Sequence, residues 1–148
     1  MLTQGDVVEL DLGAPAGSEA GLRRPAVVVT AEQVLAGRPN VIQVVPLTTT
    51  LRESGTEITL EPDQHNGLRA PSAAQCQHIR SVAIARVTAR VGNVGPMVES
   101  AIAHGPAMRA FNACDHHLPW NELVAKYADA MPANVNIGEA CSHPDVAP

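Results

Sequence analysis

Apolar and polar residues alternate along the opening of the chain. Val8, Leu10 and Leu12 are set against Glu9 and Asp11, the period of a strand with one buried face. A loop punctuated by Gly13, Gly17 and Gly21 follows, and these glycines predict a mobile connection. It closes on Arg23-Arg24-Pro25 and feeds Ala26-Val27-Val28-Val29, a β-branched run typical of a buried strand. Residues 31–36 fit one helical turn ended by Gly37, and residues 40–47 return to strand character through Val41, Ile42, Val44, Val45 and Leu47. Residues 56–60 alternate again and stop at Glu61-Pro62-Asp63, while Asn66-Gly67 marks a turn before a further strand-like segment at 72–79. Val82, Ile84, Val87, Val91 and Val94 are expected to line the core before Gly95-Pro96. Five to seven short strands separated by turns read as a small all-β barrel.

Beyond that point the pattern changes in kind. Gly105-Pro106 stops any helix begun at Met97, and the last dozen residues carry no period. Between them Pro119 opens a helical stripe, Trp120, Leu123, Val124, Tyr127, Ala128 and Met131 at spacings of three and four, ended by Pro132. The expected organisation is therefore a barrel domain over residues 1–96. An extension follows over 97–148, with a helix near 119–131 and a flexible tail beyond Ile137.

Charge and composition narrow the function classes. Residues 1–96 hold eight arginines, no lysine and nine acidic groups, a net of minus one; residues 97–148 hold Arg109, Lys126 and six acidic groups, a net of minus four, together the minus five of the chain. A protein that grips a nucleic-acid backbone by bulk charge is strongly basic, so this one can hold such a polymer only through a local site. No apolar stretch approaches the roughly 18 residues that a membrane span needs, and no leader pattern is visible, which predicts a cytoplasmic protein. Cys76, Cys114 and Cys141 are too few and too scattered for a disulfide framework, and reduced thiols are expected.

Three blocks carry a family resemblance. The stretch from Gly17-Ser18-Glu19 to Arg24-Pro25 and its apolar run, preceded by Gly5-Asp6-Val7-Val8, resembles the G-S-E…R-P signature of the MazF/PemK/Kid toxins. Val44-Val45-Pro46-Leu47-Thr48-Thr49-Thr50 is similar to the family's V-x-P-[apolar]-T-[ST] block, and Gln77-His78-Ile79-Arg80-Ser81-Val82 to its Q-[IV]-[RK]-[ST] run. The resemblance covers about residues 3–96. It implies a mainly β, SH3-like barrel with short helices and a C-terminal helix, forming a homodimer. It further implies the toxin of a type II toxin-antitoxin pair, a sequence-specific endoribonuclease that cuts single-stranded RNA without metal or cofactor and is held by an antitoxin through a disordered acidic segment. Two other functions are compatible with the barrel: a CcdB-like toxin that binds gyrase without catalysis, and an inactive barrel that only binds an antitoxin.

By the same resemblance the catalytic arginine falls on Arg24, the threonine on Thr48 and the loop glutamate on Glu19. The chemistry agrees with these residue types. Attack of a ribose 2′-oxygen on its own phosphate needs a proton taken, a proton given, and added charge stabilised on phosphoryl oxygens. A guanidinium stays protonated and offers a fork of donors to two of those oxygens. Thr48 suits positioning, and Glu19 either accepts the 2′-proton or orients Arg24. Arg-Pro ahead of a strand is by itself an ordinary polar loop end, and a Thr run is good strand chemistry; only their combination suggests a site. The aromatic residues Phe111, Trp120 and Tyr127 all lie outside the expected barrel, so RNA recognition there rests on polar groups. Ser18, Arg23, Thr49, Arg52, Gln64, His65, Asn66, Gln75, His78 and Arg80 are the candidates. Cys114-Asp115-His116-His117 and Cys141-Ser142-His143 carry zinc-ligand types, but adjacent histidines diverge and no C-x-x-C pair is present, so no metal is expected.

Overall fold

The computed structural model describes residues 1–52 and 54–105 and the backbone of 135–136; the helix expected over 119–131 and the tail beyond Ile137 lie outside these residues. The strands are β1 (Asp6–Asp11), β2 (Arg23–Val28), β3 (Val41–Thr48), β4 (Glu57–Leu60), β5 (Ser72–Gln75), β6 (Arg80–Ala83), β7 (Val87–Asn93) and the short β8 (Val135–Asn136). Two helices join them, α1 (Glu32–Ala36) and α2 (Gly95–His104). Every pairing is antiparallel, in the order β7-β1-β2-β3-β5-β4-β8 with β6 also on β3.

Strand β3 turns the corner of this small barrel. Its first half, Val41 to Val44, pairs with β6, whereas Leu47 and Thr48 pair with β5. Pro46, which has no N–H to offer a neighbour, sits where one partner gives way to the other.

The alternation resolves into two cores rather than one. Val7, Val27, Val45 and Leu47 form a cluster that α2 covers with Val98, Ala101 and Ile102; Val8, Leu10, Ala26, Val28 and Val44 form another, covered by Leu12, Ala20, Leu35 and Val82. The central strands are thus buried on both faces, which is why β2 and β3 read as nearly unbroken apolar runs. Ile84 and Val91, expected in the core, are 38% and 39% exposed. Ile84 falls in a single 3-10 turn, where the two-residue period is lost, and Val91 lies on the open face of edge strand β7. The domain boundary expected at residue 96 falls inside α2, whose buried face completes the first cluster, so the packed unit runs on to Gly105. There the Gly105 amide bonds Ala101 at 3.0 Å and a Cβ would meet that carbonyl, so this glycine closes the helix.

Asp6 fastens the start of the chain to this framework. Its side chain, fully buried, accepts from the Thr3 amide at 2.8 Å, the Thr3 hydroxyl at 2.9 Å, Asn93 Nδ2 at 2.9 Å and Arg90 Nε at 2.8 Å. Burial pushes the carboxyl toward its neutral form, but the bonds from Thr3, Asn93 and Arg90 outweigh it and hold the pKa below the ordinary 3.8. A carboxylate with a lowered folded pKa stabilises the protein above its unfolded value, and that contribution is lost as pH falls through the lowered one. Asp6→Asn is therefore expected to cost about 1–3 kcal/mol at pH 7 and to flatten the loss of stability below about pH 4. Urea unfolding measured across that range checks both effects.

Candidate active site

The β2–β3 pairing brings the two main residues to one cleft. Val28, Val27 and Ala26 pair with Val44, Val45 and Pro46, and just beyond that ladder Arg24 on β2 and Thr48 on β3 line the same opening. Side chains alternate across a sheet, so Arg24 shares a face with Ala26, and Thr48 with Pro46. The same parity carries through β5 and β4: Thr48 pairs with Ala73, Ala73 with Thr59, and Glu57 with Gln75. Thr48, Gln75 and Glu57 consequently lie on one face, while Leu47, Ala74 and Ile58 fill the core on the other.

The loop between β1 and β2 folds over this face and is more tightly built than its glycines suggested. Leu12 and Leu22 close its neck through Leu12 N to Leu22 O at 3.0 Å and Leu22 N to Gly13 O at 2.6 Å, with Leu22 held at φ 62°. Ala20 is buried in the second core. Gly21 lies against Pro15, and a Cβ there would stand 2.6 Å from the proline ring. Its role is close packing, not freedom. The Gly21 carbonyl in turn accepts from Arg24 Nε at 2.7 Å, which aims the rest of the guanidinium outward.

An open cleft of about 480 Å³ results, lined by Ser18, Glu19, Ala20, Arg24, Thr48, Thr50, Arg52, Gln75 and His78. Seven of the residues singled out in the sequence meet here. His78 arrives on the 3-10 turn Cys76–His78 that follows β5. Thr48 Oγ1 accepts from the Thr50 amide at 3.2 Å, leaving its hydroxyl hydrogen to donate elsewhere. Among the described residues Glu19 forms no ion pair, so the orientation of Arg24 falls to Gly21.

The remaining candidates are placed elsewhere. Arg23 has the opposite parity to Arg24 and stands 3.7 Å from Asp11, an exposed pair worth little. Thr49 is exposed and does not line the cleft. Gln64 and His65 are exposed on the β4–β5 loop, which is pinned to β7 through Asn93 N to His65 O at 2.8 Å. Asn66 is buried and satisfies its own turn through Asp63, Leu68 and Glu61. Arg80 reaches the Ala20 carbonyl at 3.5 Å and otherwise lines a second cleft with Gln43 and His104.

Sequence reading missed a polar cluster beside the site. Glu57 Oε1 accepts from Gln77 Nε2 at 2.9 Å and Gln75 Nε2 at 3.3 Å, with Arg52 Nη1 at 3.7 Å. The signal was the clean alternation of β4, which puts Glu57 opposite Ile58; the pattern does not say that this second face is covered. Cys76 is buried in the first core, and burial pushes its thiol up to about 12, so it is a packing residue. Among the described residues no group of three His, Cys, Asp or Glu side chains could hold a metal ion, and the zinc-type residues near 114–117 and 141–143 lie outside them.

A polar cleft with Arg24 and Arg52 on its wall, set on an antiparallel barrel-like sheet, has donors of the kind that can hold a phosphate. Residues 3–104 match the family described as PemK-like, MazF-like toxin of type II toxin-antitoxin system, and the chain belongs to that family. Endoribonuclease MazF9 of Mycobacterium tuberculosis (strain ATCC 25618 / H37Rv) is 35% identical over 99 residues, 64% of this chain and 83% of that protein. MazF from Deinococcus radiodurans has a similar fold, with a TM-score of 0.60 at 25% identity over 75% of this chain and 96% of its own. So does an endoribonuclease in complex with its cognate antitoxin from a mycobacterial species, with a TM-score of 0.59 at 20% identity over 81% of this chain and 99% of that one. Among the described residues no helix is long and apolar enough to cross a membrane.

Because Gly21 packs on Pro15, Gly21→Ala forces the loop away from Arg24. The expected cost is about 1–3 kcal/mol of stability, read from the urea midpoint; an unchanged midpoint would mean that the loop yields freely.

Proposed function

We propose that this toxin cuts single-stranded RNA, without metal, by attack of a ribose 2′-hydroxyl on the adjacent phosphate. The observation that carries the reading is that Arg24 and Thr48 line one cleft with Glu19 and His78. The free carboxylate of Glu19 takes the 2′-proton as the new O2′–P bond forms. Arg24, held at Nε by Gly21, turns its remaining donors to the phosphoryl oxygens on which charge builds. The Thr48 hydroxyl, already accepting from Thr50, donates to one of the same oxygens. As the P–O5′ bond breaks, His78, which lines the same cleft, gives a proton to the leaving oxygen. The products are a 2′,3′-cyclic phosphate and a 5′-hydroxyl.

Ser18, Arg52 and Gln75 line the path of the strand, and Arg23, Thr49, Gln64, His65 and Arg80 are left to contacts beyond the cleft. The same cleft suits the acidic, disordered segment of a cognate antitoxin, whose carboxylates would meet Arg24 and Arg52 in place of phosphates. A homodimer acting in the cytoplasm completes the reading.

Purified protein incubated with a long RNA in EDTA is expected to produce fragments with 5′-hydroxyl ends, and Arg24→Ala to slow the cutting about 100- to 1000-fold. RNA left intact by the wild-type chain, or cut equally fast by the variant, would reject the mechanism. Gyrase inhibition without RNA cleavage would favour a toxin that acts by binding alone.

A further inference from the structure

Among the described residues, three buried side-chain oxygens have no hydrogen-bond partner: Glu57 Oε2, Gln75 Oε1 and Gln77 Oε1. They belong to one cluster. Both glutamine amides turn their NH₂ groups to Glu57 Oε1, at 3.3 Å and 2.9 Å, and a carboxylate fixes that orientation because an amide oxygen in the same place would be repelled. The three atoms left without a partner are all acceptor oxygens, although each amide nitrogen keeps a second N–H. Buried polar groups are nearly always satisfied, and three orphans of one kind in one cluster mark a place that lacks a donor.

The cluster adjoins the proposed RNA cleft. Gln75, 5% exposed, lines it and stands directly across from Glu57 in the β4–β5 register. Arg52, also a lining residue, covers the carboxylate loosely. Its Nη1 is 3.7 Å from Glu57 Oε1, beyond the roughly 2.7–2.9 Å of a formed charge-assisted hydrogen bond. The arginine side chain is 59% exposed and the glutamate side chain 2%. Displacement of Arg52 would open the Glu57 carboxylate toward the cleft.

We infer that Glu57, Gln75 and Gln77 form a base-reading pocket of this cleft that selects a nucleobase presenting an amino group. The inference rests on the ribonuclease reading above and deepens it. Guanine offers N1–H and an amino group side by side, and cytosine and adenine each offer an amino group; all three supply donors to the three unpartnered oxygens. Uracil presents one N3–H between two carbonyl oxygens, which would face Glu57 and the glutamine oxygens and be repelled. Sites built from buried hydrogen-bonding groups discriminate strongly against a partner that leaves those groups unpaired. Glu57 is accordingly a specificity-determining residue, while Arg24 and Thr48 handle the phosphate.

The test uses the full chain, a long RNA in EDTA and sequencing of the 5′-hydroxyl ends. Wild-type protein is expected to show one position near the cut where amino-bearing bases are enriched and uracil is rare. Glu57→Gln, which keeps the side-chain shape, is expected to reduce that preference about tenfold or more while cutting continues; Gln75→Leu should act in the same direction. Short RNAs carrying an amino-less analogue at that position, inosine for guanine, uridine for cytidine or purine riboside for adenosine, test the wild-type protein directly. They are expected to be cut about tenfold more slowly or less. This arm stands even where a variant fails to fold. Equal cutting of the analogues, or a profile unchanged by Glu57→Gln, would assign the three oxygens to water and overturn the pocket while leaving the ribonuclease intact. RNA uncut by the wild-type chain would instead overturn the ribonuclease reading, and the pocket with it.

Discussion

The antiparallel register of β2 on β3 is the constraint on which the molecule depends. It packs Val27 with Val45 in one core and Ala26 and Val28 with Val44 in the other. Just beyond the paired residues the same two strands carry Arg24 and Thr48 to one cleft. A slip of one residue would reverse every side chain on β2, turning the arginine out of the cleft and exchanging the contents of the two cores. Since both faces are buried, such a slip has no cheap alternative, and the packing that stabilises the barrel is also what aligns the site.

Around that pairing the loop from Gly13 to Leu22 acts as a fitted cover. Ala20 anchors it in the second core, Pro15 and Gly21 pack face to face, and the Gly21 carbonyl grips Arg24. Of the two alternative roles expected for Glu19, the geometry gives the orienting one to a backbone carbonyl. A backbone carbonyl holds the cation, leaving Glu19 as an unpaired carboxylate in the same cleft. Preorganised donors act most strongly when their orientation is set before charge develops, and a short backbone contact on a packed loop is a firm way to set it.

Much of this was legible in the chain. Two-residue alternation marked β1 and β4, apolar runs marked β2 and β3, and three ordered motifs named Ser18, Glu19, Arg24, Thr48 and His78, with Arg52 and Gln75 added as nearby polar residues. The misreadings have local physical origins. Alternation says which residues share a face, but not what covers that face. Val91 therefore looked buried and is not, Ile84 falls in a 3-10 turn where the alternation is lost, and Glu57, on which the pattern is silent, is enclosed by Gln75, Gln77 and Arg52. Arg23 and Arg24 are adjacent in sequence and identical in chemistry, and only the pleat separates the one beside Asp11 from the one in the cleft. The loop glycines suggested freedom because sequence cannot display Pro15 lying against Gly21.

The pairing of β1 with β7 has a temporal consequence. Asp6 lies beside Asn93, at nearly opposite ends of the packed unit, and α2 follows only after that strand. Sheets built from such distant segments fold slowly, because the entropy of closing a long loop must be overcome before the contacts that reward it exist. During synthesis the N-terminal strands emerge well before their outer partner and before the helix that roofs the first core. Every residue that lines the cleft lies between Ser18 and His78, so a nascent chain carries the whole cleft before it has the helix that covers the core on the reverse face of the same strands.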